Sequence, residues 1–367
     1  MSDPMIRLRA VEKRYPGTSA PAVQALDLDV PSGEIVMLVG PSGCGKTTTL
    51  KMINRLIEPT GGSITVDGQD IRSLPAHELR RGIGYVIQQT GLFPHRTIAQ
   101  NIATVPRLLE WDDDRIAARV DELMDQMGLD AEMADRYPAE LSGGQRQRAG
   151  VARALAADPP VLLMDEPFGA VDPLVRARLQ RELLALQAEL HKTIVFVTHD
   201  IDEAIHLGDR IAILNVGGVL EQFDTPEDIL ARPANDFVAD FLGSERGLKR
   251  LALIPVTDVD LTRGPVVDAA APSEKARRVA EEHHSDWVGV LDDQRLRGWL
   301  WVDDLVDGRA TGDHDVRDFR IWIQSRAMLR EALDAVVNTR NQVAVVYDGD
   351  RYQGMLFVDQ ISDELTR

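Results

Sequence analysis

The segment with the clearest chemical signature is a glycine-rich loop, GPSGCGKTT, at residues 40–48. It follows the apolar run EIVMLV and precedes the helical pattern TTLKMINRLI, which is the strand, loop and helix context of a phosphate-binding loop. Glycines let successive backbone N–H groups turn toward one anion, and the start of the following helix adds a favourable dipole. We expect Lys46 to reach the terminal phosphates of a nucleotide and the Thr47 hydroxyl to ligate Mg²⁺. The predicted nucleotide contacts of this loop are Gly40, Pro41, Ser42, Gly43, Cys44, Gly45, Lys46, Thr47 and Thr48.

A pair of adjacent carboxylates ends another apolar run. The sequence VLLMDEP places Asp165 and Glu166 at the carboxyl end of a strand, where open α/β sheets present ligand groups. One carboxylate suits Mg²⁺ through its water shell, and the next can polarise an attacking water. The pattern alone is weak evidence, since a solvated turn has the same composition. Together with the phosphate loop it predicts hydrolysis of a phosphate bond.

A third segment, LSGGQRQR at residues 141–148, supplies a hydroxyl and two glycines at the start of a predicted helix. Ser142 is expected to cap that helix, and the exposed N–H groups at the start of the helix are expected to form a second anion site. One phosphate loop needs no second site of its own. The economical interpretation is that this segment completes the phosphate site of another copy.

The elements that must position these residues alternate along the chain. From about residue 33 to 216, short apolar runs alternate with longer helical patterns, which indicates an α/β fold with a mostly parallel sheet. We predict strands at 34–39, 161–164, 193–197 and 210–214. Two sets of apolar residues recur at helical spacing and each predicts one buried face. They are Ile116, Val120, Leu123, Met124 and Met127, and Val175, Leu179, Leu183, Leu186 and Leu190.

Composition excludes several classes of protein. The 367 residues include 41 Lys and Arg against 59 Asp and Glu, a net charge of −18, which argues against nucleic-acid binding. The single cysteine, Cys44, cannot form an intrachain disulfide; we expect a small filler residue there and hypothesise a thiol that nucleotide protects from modification. No signal-peptide pattern and no membrane-spanning apolar run is evident. We therefore expect a cytosolic protein that reaches a membrane only through a partner.

The tail of the chain contains an internal repeat. The composition changes near SERGLKR, residues 244–250, which we predict to be a linker. Shifting the tail by 56 residues aligns VGVLDDQRLRGWLWVDDL, from Val288, with AVVYDGDRYQGMLFVDQI, from Ala344. Each copy is predicted to contain a helix, a strand, a tight turn, a strand and a second helix. Two such units side by side could bury what one alone could not.

The N-terminal motifs together resemble the ATP-binding subunits of ABC transporters. The phosphate loop, Gln88, LSGGQ, the Asp165–Glu166 pair, Asp172 in GAVD and His199 in VTHD occur in the family's order and spacing over about residues 5–243. The resemblance implies a P-loop NTPase cassette over residues 1–243, with a RecA-like core and an inserted helical subdomain at about 89–160. It also implies a head-to-tail homodimer that sandwiches two ATP molecules, with Mg²⁺.

The resemblance also implies a role for single residues. Glu166 matches the catalytic base, His199 the residue that contacts the γ phosphate, and Gln88 the residue that senses it and couples to the membrane subunit. The implied metal contacts are Thr47, Gln88 and Asp165. The remaining implied ATP contacts are Tyr15, which stacks on adenine, and, from the partner copy's side, Ser142, Gly143, Gly144, Gln145 and Asp172. The usual S-A-L-D is GAVD here, a conservative change around Asp172.

Longer strings resemble one subfamily, the ATPases of quaternary-amine importers for glycine betaine, carnitine, choline or proline-type osmoprotectants. DTPEDILARPANDFVADFLGSER followed by a repeated tail carries this likeness. In that subfamily the tail is an α+β tandem pair of CBS modules, here at about 251–307 and 308–367. The family's ribose-binding pattern has an aromatic in place of its hydroxyl residue in both copies, and Gln360 replaces the second Asp, so both nucleotide sites look degraded. Regulation and simple dimerisation both remain open.

The implied partners are a second ATPase subunit, integral-membrane permease subunits and a periplasmic or lipid-anchored solute-binding protein. The implied location is peripheral, at the cytoplasmic face of the inner membrane, without nucleic acid. Three alternatives are an ABC ATPase importing another small solute, a soluble ABC ATPase acting on DNA or ribosomes, and a purely regulatory nucleotide-binding module. The second lacks its usual paired cassettes or basic inserts, and Glu166 with His199 disfavours the third.

Overall fold

The structure is a computed structural model that describes residues 3–88, 91–169, 172–319, 321–339 and 342–366. The chain divides into two units, Met1–Gly243 and Ser244–Arg367, the second of which we call the tail. Each is described by itself. Throughout the described ranges, every helix is too short or too polar to cross a lipid bilayer.

The first unit contains ten strands and ten α-helices among its described residues. The strands are β1 (Ile6–Lys13), β2 (Val23–Val30), β3 (Ile35–Val39), β4 (Gly61–Val66), β5 (Gln69–Asp70), β6 (Ile83–Val86), β7 (Val161–Asp165), β8 (Thr193–Val197), β9 (Arg210–Asn215) and β10 (Val219–Asp224). The helices are α1 (Lys46–Ile53), α2 (Ala76–Arg81), α3 (Ile98–Ile102), α4 (Thr104–Leu108), α5 (Asp113–Gln126), α6 (Gly143–Leu155), α7 (Pro173–Leu190), α8 (Ile201–Leu207), α9 (Pro226–Ala231) and α10 (Asp236–Leu242).

A six-stranded sheet positions the chemistry of this unit. Its order is β10-β9-β3-β8-β7-β6, and all neighbours are parallel except β10 with β9. The four predicted strands are confirmed, each to within one residue at either end. Because β3, β8, β7 and β6 run in one direction, their carboxyl ends meet at one edge of the sheet. The residues that follow those strands therefore converge there.

A second, antiparallel sheet of order β2-β1-β4-β5 packs against the first through one apolar core. Between β6 and β7, the described residues form helices α3 to α6 and no strand. Gln89, at the start of the predicted helical subdomain, lies outside the described residues.

The two predicted helical faces differ in outcome. Helix α5 buries its predicted set as expected, with Met127 just beyond its end. Helix α7 buries only Leu179 and Leu183, so a buried face over its whole length is wrong. The remaining three apolar residues of the set are half-buried. Beside them, three polar side chains of the same helix bond to neighbouring segments, namely Arg176, Gln180 and Gln187.

The tail contains two similar halves. Its strands are β11 (Val266–Asp268), β12 (Trp287–Asp292), β13 (Arg295–Trp301), β14 (Trp322–Gln324), β15 (Val343–Asp348) and β16 (Arg351–Phe357), and its helices are α11 (Arg246–Leu251), α12 (Ser273–Glu282), α13 (Leu329–Asn338) and α14 (Val358–Thr366). They form two sheets, β11-β12-β13 and β14-β15-β16. Three strands and a helix of each half recur at the 56-residue offset found in the sequence.

The halves depart from the predicted unit in two ways. Each begins with a short parallel strand, β11 or β14, that the sequence pattern did not predict. Only the second half ends in a helix, because the first ends in a 3₁₀ turn at Val302–Asp304. Gly308, at φ +79°, turns the chain soon afterwards, a conformation that glycine adopts without strain.

The predicted linker and the boundary between halves also look different in three dimensions. Residues 246–250 of the predicted linker belong to α11, and Leu251, the last residue of that helix, is fully buried in the core of the second half. Thr262 and Met355 exchange two backbone hydrogen bonds, and Trp299 and Arg317 exchange two more. Each half therefore receives the segment that precedes the other repeat, and the two are interleaved rather than sequential.

Candidate functional site

The phosphate loop joins β3 to α1 and depends on its glycines. Gly40, at φ +146°, and Gly45, at φ +103°, adopt backbone conformations that other residues rarely reach. A Cβ on Gly40 would lie 2.0 Å from the Leu214 carbonyl oxygen, and one on Gly45 2.7 Å from that of Ala22. Both positions therefore exclude any side chain.

Lys46 is held inside this loop. Its side chain is buried, and Nζ donates to the carbonyl oxygens of Gly40 at 2.7 Å and Pro41 at 3.1 Å. These oxygens satisfy a buried ammonium that would otherwise be costly. Beside it is a pocket of about 430 Å³. Its lining residues are Ala22, Ser42, Gly43, Gly45, Lys46, Thr47, Thr48, Glu166 and His199.

Cys44 faces the protein interior rather than the pocket. It is fully buried within the main core, its Sγ lies 3.7 Å from Lys46 Nζ, and its backbone N–H donates to the Pro41 carbonyl. A thiol without solvent-accessible surface presents no atom to an alkylating reagent. The hypothesis of a nucleotide-protected modification site is therefore wrong, and the residue fills space as the alternative expected.

Asp165 ends β7 directly opposite the loop. Thr47 Oγ1 donates to Asp165 Oδ1 at 2.9 Å, and burial raises the pKa of the Asp165 carboxyl. A hydroxyl and a carboxylate are oxygen donors of the kind that Mg²⁺ prefers. Among the described residues no three His, Cys, Asp or Glu side chains gather into a metal site. The donors present therefore fit a Mg²⁺ ion that takes its remaining ligands from phosphate and water.

Three predicted catalytic side chains meet at Glu166. Gln88 Nε2 donates to Glu166 Oε2 at 3.0 Å, and His199 Nδ1 lies 3.3 Å from Oε1. Glu166 has φ +45°, and its N–H donates to the Val197 carbonyl at the end of β8. Such a conformation stores strain, which active sites tolerate where neighbouring structure fixes it. The strand ends of β6, β7 and β8 thus bring one carboxylate, one amide and one imidazole together.

The segment Ser142–Gln145 forms the capped start of helix α6 and does not line this pocket. Ser142 Oγ accepts from the Gln145 N–H at 3.3 Å, and Gln145 Oε1 accepts from the Ser142 N–H at 2.8 Å, a complete capping box for α6. None of the pocket's lining residues belongs to it. Gly143 and Gly144 follow the cap, with Gly143 exposed. Helix α6 has 13 residues, enough to carry a full N-terminal dipole.

Two further predicted contacts also lie outside that lining. Asp172 is exposed and caps α7, accepting from the Val175 N–H at 3.1 Å. Tyr15 is 39% exposed, and its ring lies 5.2 Å from Lys13 Nζ. Both side chains are open to a partner or ligand, as their expected roles require.

Sequence reasoning missed a second, smaller pocket of about 160 Å³ in this unit. Arg80, Arg81, Tyr85 and Arg153 line it together with Asn54, whose buried Oδ1 has no hydrogen-bond partner among the described residues. Burial raises the pKa of the Tyr85 hydroxyl and lowers that of the Arg153 guanidinium. The whole lining of this pocket comes from four separate stretches of chain, so no local sequence pattern could have grouped it.

Comparison with known proteins adds independent evidence. A family model described as ABC transporter matches residues 23–169. The osmoprotectant import ATP-binding protein OsmV of Salmonella typhimurium is 45% identical over 99% of this chain and 96% of its own length. The glycine betaine/carnitine/choline transport ATP-binding protein OpuCA of Bacillus subtilis is 47% identical over 94% and 91%.

A solved structure extends the comparison to the fold. The dimeric structure of a post-hydrolysis state of the ATP-binding cassette MJ0796, bound to ADP and Pi, is 35% identical with a TM-score of 0.55. The match covers 60% of this chain and 99% of that one. The first unit of the chain is therefore similar to a cassette that has been seen as a dimer with the products of ATP hydrolysis.

Proposed function

Because the chain belongs to the ATP-binding proteins of ABC transporters, we propose that it hydrolyses ATP to drive import of a quaternary-amine osmoprotectant. The observation that carries the catalytic part is the meeting of Gln88, Glu166 and His199 beside the phosphate loop. A pocket with a phosphate cradle on one wall and a carboxylate on the other suits phosphoryl transfer to water.

Binding begins with charge and backbone dipoles. Lys46 exchanges its loop carbonyls for phosphate oxygens, and the N–H groups of the loop and of the first turn of α1 cradle the anion. Thr47 and Asp165 would hold Mg²⁺, which would neutralise part of the phosphate charge. Tyr15 stacks on the adenine ring. The chain's net charge of −18 does not oppose this, because the positive groups that matter are local.

Hydrolysis then depends on Glu166. Its carboxylate accepts a proton from water, whose oxygen bonds to the γ phosphorus while the bond from that phosphorus to the β–γ bridging oxygen breaks. Gln88 and His199 flank the same carboxylate and orient it and the attacking water. The products are ADP and inorganic phosphate.

A second copy supplies the rest of the site. We place Ser142 to Gln145 and Asp172 of each protomer against the nucleotide bound by the other. Two observations support this placement. The capped start of α6 can bind an anion. Neither the Ser142–Gln145 segment nor Asp172 lines the pocket of its own protomer. The dimeric state of the solved relative accords with this arrangement.

Transport requires partners that this chain does not contain. The printed names of the relatives support a glycine betaine, carnitine, choline or related solute. We propose integral-membrane permease subunits, a periplasmic or lipid-anchored solute-binding protein, and a peripheral position at the cytoplasmic membrane face. The Arg80, Arg81 and Asn54 pocket suits a permease segment with acidic or polar side chains, because its guanidinium groups and free amide oxygen favour such groups.

The tail is proposed to be a tandem pair of CBS modules. The 56-residue repeat, the paired three-stranded sheets and the exchanged segments support it. Trp301 and Phe357 stand where that family has its hydroxyl residue, so nucleotide binding at the usual ribose site is disfavoured. The tail carries 17 basic and 22 acidic residues over 246–367, which does not favour attraction to an anionic membrane. A dimerisation role is an equal alternative to regulation.

The experiment for this function is Glu166→Gln. The substitution keeps size and hydrogen bonding but removes the proton acceptor, so ATP turnover should fall by about 100-fold or more. Gel filtration with ATP should then show a stable dimer that the wild type forms only transiently. Unchanged ATP turnover in the Glu166→Gln variant would contradict the role of Glu166 as the proton acceptor.

A further inference from the structure

A hydrogen-bonded aspartate directly follows the histidine of the site. His199 precedes Asp200, the cap of α8, whose Oδ1 accepts from the N–H groups of Asp202 at 2.9 Å and Glu203 at 3.3 Å. The Asp200 N–H in turn donates to Thr198 Oγ1 at 3.0 Å. The side chains of Thr198 and Asp200 thus fix the backbone that directly follows His199.

Helix α7 contacts this segment through two side chains one turn apart. Arg176 Nη1 lies 3.6 Å from Asp200 Oδ2, and Gln180 Nε2 donates to Glu203 Oε1 at 2.9 Å. Residues four apart share a face of a helix, so both contacts come from the same side of α7. Glu203 is buried, which makes its pairing with Gln180 the more constrained of the two.

Asp172, the residue proposed to face the partner protomer, caps the N-terminus of helix α7. On another side, helix α7 touches the helix that carries Ser142. A Cβ on Gly144 would lie 2.9 Å from Val175 Cγ1, and Arg148 Nη1 lies 3.7 Å from Glu182. One rigid helix therefore contacts the segment that serves the other protomer's nucleotide and the segment that carries this protomer's histidine.

We propose that Arg176 and Gln180 are positioning residues for hydrolysis, holding His199 beside Glu166 and tying that placement to the contact of Asp172 with the second copy. The inference rests on the proposed ATPase function. Neither residue lines the nucleotide pocket, and each bonds to the segment that follows His199, Arg176 to Asp200 and Gln180 to Glu203. Loss of either should leave ATP binding intact and slow the chemical step.

The test compares steady-state ATP hydrolysis by the full chain and its variants. Arg176→Ala and Gln180→Ala should each lower kcat about 5- to 20-fold and leave KM for ATP within about twofold, as removal of a transition-state contact does. Asp200→Asn keeps the helix cap but not the charge, and should match Arg176→Ala. Arg181→Ala is the control, since Arg181 is exposed on the same helix and bonds to the carbonyl of Ala177 in its own helix.

A double-mutant cycle separates positioning from general weakening. In single-turnover assays with excess protein, adding Arg176→Ala to His199→Ala should cost nothing further, because the group it positions is gone. Full additivity in this cycle, or a kcat equal to that of Arg181→Ala, would overturn the proposal. A wild type without ATPase activity would instead overturn the proposed function itself.

Hydrogen exchange gives a readout that does not need turnover. The amides of Asp202 and Glu203 should exchange several-fold faster in Arg176→Ala than in wild type, while those of β7 and β8 keep their protection. Unchanged exchange at both amides would overturn the proposal. Faster exchange throughout the sheet would also overturn it, because Arg176 would then be a general structural residue.

Discussion

Thr47 and Asp165, 118 residues apart in the chain, are joined by a hydrogen bond from Thr47 Oγ1 to Asp165 Oδ1 at 2.9 Å. The contact ties the first turn after the phosphate loop to the end of strand β7. It places the two oxygen donors proposed for Mg²⁺ side by side. A buried carboxylate in that position destabilises the protein until a cation neutralises it.

Asp165→Asn should therefore stabilise the protein without nucleotide at neutral pH. Burial raises the pKa of the Asp165 carboxyl, so the folded state binds its proton more tightly than the unfolded chain. The free energy of unfolding then falls as pH rises from the ordinary aspartate pKa, about 3.9, through the raised value. Urea unfolding at pH 8 should find the variant more stable, with a gap that narrows on acidification. A variant less stable than wild type at pH 8 would contradict this reasoning.

Ser142→Asp should separate folding from dimer formation. Aspartate keeps the cap of α6, whereas Ser142→Ala should cost about 1 kcal/mol. The added charge would face the partner's phosphates, so ATP-induced dimers in the Glu166→Gln background should disappear on gel filtration. Thr97→Asp is the matched control, because Thr97 caps α3 with the same capping box. If Ser142→Asp still dimerised with ATP, the proposed composite site would be wrong.

Arg81→Glu should uncouple transport from hydrolysis. Arg81 lines the smaller pocket proposed for the permease, and reversing its charge opposes acidic groups there. ATPase activity of the isolated chain should stay within about twofold, while solute uptake by the assembled transporter falls about 10-fold or more. Arg136→Glu, an exposed arginine of the same unit, should affect neither. Normal uptake with Arg81→Glu would remove this pocket from the permease contact.

Gly298→Ala should unfold the tail at lower temperature than wild type. A Cβ there would lie 2.3 Å from the Arg317 carbonyl oxygen, inside the backbone pair that links the two halves, and should cost about 3 kcal/mol or more. Gly308→Ala meets nothing within 4 Å and should cost only the strain of its positive φ, about 1 kcal/mol. Four of the five tryptophans lie in the tail, so tryptophan fluorescence reports its melting. Equal melting temperatures for Gly298→Ala and Gly308→Ala would show that the backbone at Gly298 does not lie tightly against the Arg317 carbonyl.

Sequence motifs were sufficient to predict the elements at the centre of the first unit. The four strands were found from apolar runs because buried parallel strands are continuous in hydrophobicity. The convergence of Gln88, Glu166 and His199 follows from the rule that parallel strands end at one edge. No local sequence pattern predicted the small arginine pocket, because distant segments form it. The pairing of Arg176 with Asp200 was not predicted either, for the same reason.

The tail shows where a repeat stops being informative. The 56-residue offset predicted the shared elements, because equivalent apolar patterns fold alike. It did not predict that residues around Thr262 and Arg317 pair with the other half, since that exchange depends on long-range backbone bonds. It also did not predict that the final helix of the second half is replaced in the first half by a 3₁₀ turn, soon followed by Gly308.

The central claim is that ATP hydrolysis by this chain drives uptake of a quaternary amine. The most direct test is accumulation of radiolabelled glycine betaine by cells that lack their own osmoprotectant importers and express the chain with its permease and solute-binding protein. We predict uptake at high osmolarity with the wild-type chain and none above background with Glu166→Gln. Equal uptake with both, or wild-type uptake of another small solute but not of any quaternary amine, would contradict the claim.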